Sequence, residues 1–384
     1  MKKDIIIVGA GIVGMSLALA LGGKNKKIVI LEKNLEKSLK TNRVYSISER
    51  TKNFFQDIGI WDDIKDINNL SGMSIYYRDF STKNMISFNK RENNIDIGYI
   101  AQSKNIMLSL LEKLEKNKDI SFLDNTEIIK IDNINEKNVI NINKDEIIDA
   151  EYIFSCEGTK SIIKKKLEID NIYDNYDSKA IVFNIEHEIS NNDIAHQIFL
   201  ESGPVAFLPI NENNFSMVVT IKNKFFNEEK FTESNICSFI KDISNSIFGE
   251  IKLTSKLMQF NLVGFDSKTY KLNNVIFVGD SAHSIHPLAG MGLNLGISDI
   301  IEIMDIMNNS KQSFNNKNFF SGYARKQKII NRKARQQLKF IERIYSTENE
   351  ISKRIIKMGM SSIEKSNYLK EKIIKHANNN LNFF

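Results

Sequence analysis

The chain has 384 residues, 42% of them hydrophobic and 26% charged, with 53 Lys+Arg against 47 Asp+Glu for a formal net charge of +6. That balance is ordinary for a globular protein of two domains, or of one nucleotide domain with a large insertion, and excludes a disordered chain. Two cysteines, Cys156 and Cys237, are too few for a disulfide framework, and no Cys/His cluster has metal-ligand spacing; zinc and iron–sulfur chemistry drop out and a reducing, cytoplasmic setting fits.

The first expected elements are a strand, Ile5 to Val8, and a helix, Met15 to Leu21, joined by Gly9-Ala10-Gly11-Ile12-Val13-Gly14. This is G-x-G-x-x-G: Gly9 permits a tight turn, Gly11 lets a pyrophosphate lie against the backbone, and Gly14 lets helix and strand pack closely. A second strand, Lys27 to Leu31, ends at Glu32, where an acid would take the ribose hydroxyls. The uncharged run Ile5 to Gly23 also resembles a secretory signal or membrane span, but Asp4 interrupts its basic start and its glycines suit an isolated span poorly. No other segment is long and apolar enough to span a bilayer.

A helical stretch ending near Trp61 follows a loop carrying Arg43, which either pairs with the pyrophosphate or faces the ring system, or is a solvated surface charge. Strands are expected over Ser74 to Phe88, and a helix over Lys104 to Lys116 after Gln102. Tyr152 to Ser155 entering Cys156-Glu157-Gly158-Thr159 repeats the strand-to-turn theme, making Glu157 a third contact candidate. From Asp170 to Leu262 short alternating segments suggest an antiparallel sheet on the substrate side. The chain has only three prolines, and Pro204 and Pro209 bracket one segment of that sheet, which marks rigid turns with a geometric job.

The apolar run Val275 to Val278 closes on Gly279-Asp280 and leads to Ala289-Gly290-Met291-Gly292-Leu293-Asn294. Small residues there let backbone N–H groups approach a ligand, and the helix start at Asn294 suits a group that gathers negative charge, such as a reduced flavin's pyrimidine edge. His283 and His286 lie nearby, and neither is assigned a proton-transfer role. From Ser321 to Phe384 there are 15 basic and 5 acidic residues, so +10 of charge is local and the remainder of the chain is at −4. Ile330, Ala334, Ile341 and Tyr345, and then Ile351, Ile355 and Ile356, follow helical spacing. Such stripes either rest on an anionic membrane surface or acidic partner, or pack on the core with their lysines in water. Nucleic acid is not an expected partner, since no aromatic-interleaved basic motif appears.

With these residues in view, the chain resembles the class A FAD-dependent aromatic monooxygenases of the p-hydroxybenzoate-hydroxylase fold, and within them the ubiquinone-biosynthesis hydroxylases. His286-Pro287-Leu288-Ala289-Gly290-Met291-Gly292-Leu293-Asn294-Leu295-Gly296 is similar to that branch's H-P-x-A-G-Q-G-x-N-x-G, and Arg43, Gly98-Tyr99, Gly203 to Pro209 and Tyr323-Ala324-Arg325 fall in the expected order. The resemblance implies an α/β fold: a Rossmann-type FAD-binding domain (1–70, 98–170 and 263–310), an inserted mixed or antiparallel-sheet substrate domain (71–97 and 171–262), and a basic C-terminal helical region (311–384). It carries FAD contact onto Glu32 and Lys33, onto Arg43 and Gln102, onto Glu157, Gly279 and Asp280, and onto Gly290, Gly292, Leu293 and Asn294. Pro204, Phe207 and Met291 are carried over as substrate contacts.

The implied activity uses NAD(P)H or another electron donor and O2, with a flavin C4a-hydroperoxide hydroxylating a polyprenylated phenol. That activity belongs to ubiquinone biosynthesis, and the basic C-terminal helices are expected to bring the chain to sister enzymes in a complex or into peripheral contact with the inner membrane. Glu157 stands where the family has Asp, and Met291 replaces the usual glutamine. Two other readings therefore stay open: a related flavin oxidoreductase of another isoprenoid lipid, and a non-catalytic flavin-binding scaffold.

Overall fold

A computed structural model describes residues 2–41, 43–93, 95–134, 137–143, 146–189, 193–285, 291–314, 316–347 and 349–378. Its first sheet has a parallel centre, Val275–Phe277, Ile147–Ser155, Lys2–Val8, Ile28–Leu31 and Ile120–Leu123 in that order. Ile5, Ile6, Ile7, Ile28, Val29 and Ile30 are all fully buried, the near-continuous apolar pattern of strands covered on both faces. The helix Ile12–Gly22 and the helix Ser103–Glu115 pack together against it. The apolar run that mimics a membrane span is thus a buried strand and its first crossover helix, and no helix of the described residues is long and apolar enough to cross a membrane.

The second sheet runs His283–Ser284, Met258–Ser267, Asn171–His187, Asn214–Lys222, Pro204–Asn211, Ile194–Phe199, Gly72–Tyr77, Met85–Asn89. All neighbours are antiparallel except Ile194–Phe199 beside Gly72–Tyr77. This sheet also takes Met258–Ser267 and His283–Ser284, so it is hydrogen-bonded directly to the segment that follows Gly279-Asp280. A small third sheet pairs Val44–Ile47 and Asn68–Asn69 with Tyr99–Gln102.

One face of the second sheet is covered by the helix Ile236–Ile243 and holds a separate core of Phe183, Ile198, Phe207, Phe215, Met217 and Phe248. His196 lies among these rings, with centroids 5.4 Å from Phe248, 5.9 Å from Phe80 and 6.1 Å from Phe215. Burial, with His187 adding to it, pulls the His196 imidazole down to about 4. The folded protein therefore binds fewer protons here than the unfolded chain, and the stability present above pH ~6.5 is lost as the pH falls toward 4. Thermal melts between pH 7 and 4 are expected to show this loss, and His196→Phe to flatten it by up to roughly 3 kcal/mol; an unchanged slope in the variant would assign the acid sensitivity elsewhere.

The C-terminal helices Ser321–Tyr345, Glu350–Glu364 and Asn367–Asn378 pack on the second sheet, and the first of them also reaches the first sheet, its Tyr323 hydroxyl donating to the Phe277 carbonyl at 2.7 Å. Ion pairs pin the first: Arg335 Nε donates to Asp174 Oδ2 at 2.8 Å, its Nη1 lies 3.1 Å from Asp266 Oδ2, and Lys339 Nζ is 2.6 Å from Asp174 Oδ1. Leu338, Met360 and Ile374 are buried with Tyr77, Ile86 and Phe88 of the second sheet. The stripe Ile330, Ala334, Ile341, Tyr345 does pack inward. Ile351, Ile355 and Ile356 divide: Ile356 joins the core, whereas Ile351 and Ile355 face solvent.

Candidate functional site

Three turns leave the same edge of the parallel sheet, after Val8, Ser155 and Phe277, and adjoining strand ends hold them side by side. Cys156 N–H donates to the Val8 carbonyl at 2.7 Å and Val278 N–H to the Ser155 carbonyl at 3.0 Å. Ser281 Oγ reaches the Gly158 carbonyl at 3.4 Å, joining the second turn to the third. A crevice beyond the carboxyl ends of parallel strands is where α/β sheets bind their ligands.

The glycines divide by what surrounds them. Gly9 has φ +100°, and a Cβ on it would lie 2.6 Å from the Cys156 carbonyl oxygen; one on Gly14 would lie 2.0 Å from the Gly9 oxygen. Both are demanded by packing. Gly11, Gly158 and Gly292 are of another kind: among the described residues, their own chain neighbours and helix backbone aside, no atom lies within 4 Å of a Cβ built on any of them. They come from the first turn, the second turn and the helix Met291–Asn309, and among the described residues each leaves its backbone bare. Gly11 is also the N-cap of Ile12–Gly22 without a side-chain cap, so that helix offers free N–H groups to an anion.

The helix Met291–Asn309 reaches this crevice by crossing Ile12–Gly22 tightly: a Cβ on Gly296 would lie 2.8 Å from Val13 Cγ2 and 3.5 Å from Gly279 Cα. Asn294 is buried and its side chain is committed to the fold. Its amide nitrogen donates to the Ser46 carbonyl at 2.9 Å, and its oxygen accepts from Ser48 N–H at 3.1 Å and Thr51 Oγ1 at 2.8 Å. Leu293 points into the core. The Leu293 and Asn294 side chains thus anchor the helix start, and what these two residues have left to present to a ligand is backbone. Gly290, with His286 to Ala289, lies outside the described residues, as does the Met291 side chain.

Glu32 is fixed between the first turn and the following loop, its Oε2 accepting from Ala10 N–H at 2.7 Å and its Oε1 from Asn34 N–H at 2.9 Å. Lys33 turns outward to Glu127, 2.7 Å away and also exposed. Glu157 accepts at Oε2 from Ser161 Oγ at 2.7 Å and Ile163 N–H at 3.2 Å, and at Oε1 from Ile162 N–H at 3.1 Å, so its carboxylate caps the helix Ile162–Lys166. The extra methylene is absorbed in that cap, and Gly158 remains bare beside it.

Asp280 sits at the floor of a recess: its side chain is reachable by solvent, yet protein surrounds it. That surrounding low-dielectric medium pushes its carboxyl above the ordinary carboxylate range, with the charges of His283 and Arg43 pulling the other way. Arg43, exposed, and Tyr45, half-buried, lie across the recess; burial raises the Tyr45 phenol and Arg43 opposes it. Gln102 pairs with Val44 at the sheet edge beside them and caps Ser103–Glu115 by position alone.

Behind Asp280 is a group that motif reading passes over. Asp299 is fully buried; its Oδ2 accepts from Gly279 N–H at 2.8 Å and lies 2.8 Å from His283 Nε2. Burial would lower the His283 imidazole, but Asp299, with Asp280 and Asp266 further off, raises it overall. The signal in the sequence is an acid on the apolar face of a helix that also carries Leu295, Ile297, Ile300 and Ile303.

The strand Pro204–Asn211 departs from the expected substrate contacts. Phe207 is fully buried in the aromatic core on the far face, and the pleat's alternation turns Ala206 and Leu208 the other way, Leu208 packing near Val44, Met73 and Ile97. Pro204 begins the strand and lines a cavity of about 20 Å³ with Phe199, Glu342 and Tyr345, beneath the first C-terminal helix.

Residues 2–314 match the family model described as the FAD binding domain. The chain belongs to that family. Among its relatives, the human mitochondrial ubiquinone biosynthesis monooxygenase COQ6 is 26% identical, the alignment covering 97% of this chain and 92% of that protein. The ubiquinone hydroxylase UbiM of Neisseria meningitidis is 23% identical over 78% of this chain and 67% of its own. Of solved structures, p-nitrophenol 4-monooxygenase PnpA from Pseudomonas putida DLL-E4 shares the fold with a TM-score of 0.82, at 14% identity and 98% coverage of each chain. PqsL of Pseudomonas aeruginosa, a probable FAD-dependent monooxygenase, gives 0.76 at 18% identity, covering 94% of this chain and all of its own. The fold is therefore that of the FAD-dependent monooxygenases, as the motifs imply.

The crevice fits FAD on its own terms. It offers bare glycine backbone in three places, a helix N-terminus of the kind that suits a diphosphate, the fixed carboxylate of Glu32 of the kind that suits ribose hydroxyls, and the solvent-reachable carboxyl of Asp280.

Proposed function

We propose that the protein is an FAD-dependent monooxygenase that hydroxylates the aromatic ring of a polyprenylated phenol in ubiquinone biosynthesis. The observation that carries this reading is the convergence of the bare Gly11, Gly158 and Gly292 backbones around Asp280, in a chain related along nearly its whole length to a ubiquinone hydroxylase. In this reading Glu32 receives the adenosine ribose, Gly9 to Gly14 the diphosphate, and Asp280 the ribityl chain. The backbone from Gly292 to Asn294 meets the pyrimidine edge, where the helix dipole favours negative charge. Electron transfer and oxygen activation come from bound FAD, with NAD(P)H or another donor as reductant; one oxygen atom enters the ring and the other leaves as water. The protein's part is to orient and to exclude water. Arg43 and Tyr45 line the recess, and the sheet face carrying Ala206 and Leu208 is the wall available to the phenol.

The test uses purified protein, FAD, a reductant, ¹⁸O2 and a short-chain prenylated phenol. One ¹⁸O atom in the ring is expected, and cells lacking the protein should accumulate the precursor short of that hydroxyl. Normal quinone levels in those cells would sink the pathway assignment, and uncoupled peroxide release without ring labelling would sink the substrate class.

A further inference from the structure

The helix Glu350–Glu364 has two apolar faces and only one is covered. Ile356, Met360 and Ile363 pack onto the second sheet. Ile351, Ile355 and Met358, one helical turn apart on the opposite side, are 70%, 63% and 70% exposed. The next helix adds Tyr368, 64% exposed, with Leu369 and Ile373. Large apolar side chains so exposed on successive turns are not the scatter of an ordinary surface, and they call for an occupant.

Charge decides which. In 350–378 each acid is taken by a lysine of the same segment: Glu350 by Lys353, Glu364 by Lys370 and Glu371 by Lys375. Arg354, Lys357, Lys365 and Lys372 make no ion pair within 4 Å among the described residues, Glu350 acting on Arg354 and Lys357 only from further off, so cations outnumber carboxylates beside the uncovered stripe. Pairing two copies through this stripe would bring those cations together; an anionic lipid surface takes the apolar residues and the cations at once.

We propose that Ile351, Ile355 and Met358 form a membrane-docking face that seats the protein on an anionic bilayer, with Arg354 and Lys357 meeting the headgroups. This deepens the function proposed above and rests on that reading only for its purpose, the delivery of a lipid-borne phenol. The face itself is testable without substrate.

The full chain loaded with FAD is sedimented with vesicles of phosphatidylcholine alone, or of equal parts phosphatidylcholine and phosphatidylglycerol. Binding is expected to the second, to weaken with added salt, and to fall about tenfold or more in Ile351→Ser/Ile355→Ser/Met358→Ser. Arg354→Ala/Lys357→Ala should lose the salt dependence together with part of the binding. Equal FAD content and melting temperature show that the variants fold. Should the triple variant not fold, Ile355→Trp provides an independent readout, its fluorescence shifting to the blue on phosphatidylglycerol vesicles. Wild-type protein left in the supernatant, a triple variant that binds undiminished, no shift from Ile355→Trp, or a dimer that the triple substitution dissociates would each overturn the proposal. Vesicle binding without phenol hydroxylation would leave this face standing and remove only the substrate.

Discussion

Gly11→Ala is expected to leave a folded protein that holds FAD far more weakly, whereas Gly14→Ala is expected not to yield a stable fold at all. The two glycines are three residues apart in one motif, and they differ in what a methyl group meets. On Gly14 it would sit 2.0 Å from the Gly9 oxygen, a backbone atom that cannot swing aside. Relief requires parting the helix Ile12–Gly22 from the strand Lys2–Val8, at a cost of about 3 kcal/mol or more, as for severe overpacking. On Gly11 the methyl meets nothing, and the cost is confined to a poorer N-cap, within about 1 kcal/mol. That empty space is where the diphosphate would approach the helix N–H groups, so FAD affinity should fall by roughly two orders of magnitude through steric loss of those contacts. Flavin-fluorescence titration and thermal melts separate the two effects. Gly11→Ala protein that takes up FAD like the wild type would mean that the diphosphate lies elsewhere.

The same contrast shows what can be read from a sequence and what cannot. The turns at Gly9, Glu157 and Gly279 were legible because each is local: an apolar strand, a glycine and a helix start within about a dozen residues. The direction of side chains in the sheet was not. Phe207 and Leu208 are both apolar neighbours in a strand, and only the helix Ile236–Ile243 on one side decides that Phe207 faces a closed core while Leu208 faces the other way. The C-terminal stripes are undecided in the sequence for the same reason, since Ile355 and Ile356 are adjacent and packing alone sends one inward and leaves the other bare. Asn294 marks a helix start whose backbone can meet a ligand, but the sequence does not show that its side-chain amide is spent on Ser46, Ser48 and Thr51, partners more than 240 residues away that no local pattern announces. Glu157 is the local case: Ser161 and the two N–H groups after it lie within six residues, so a helix cap by its carboxylate is legible in the sequence beside the turn motif.

Removing the Asp299 carboxylate is expected to have the second large effect. Asp299→Ala would strip Gly279 N–H and His283 of the acceptor they share, leaving a buried imidazole and a buried amide unsatisfied at a cost of about 3–5 kcal/mol, and the Gly279-Asp280 turn would lose its anchor and with it FAD. Asp299→Asn keeps the shape and removes only the charge, which makes it the variant that reads protonation. Because His283 is raised in the folded protein, its pairing with Asp299 adds stability in full below the unfolded imidazole value of about 6.5, and that stability is lost as the pH rises through the folded value. The stability gap between wild type and Asp299→Asn should therefore be widest at pH 6 and below and narrow on the alkaline side. This is opposite in sign to the acid loss expected from His196, so the difference between the two proteins isolates His283 even though both histidines titrate in the same melts. A gap that stays constant from pH 6 to 9 would show that His283 is neutral, and that Asp299 acts on the turn as a hydrogen-bond acceptor alone.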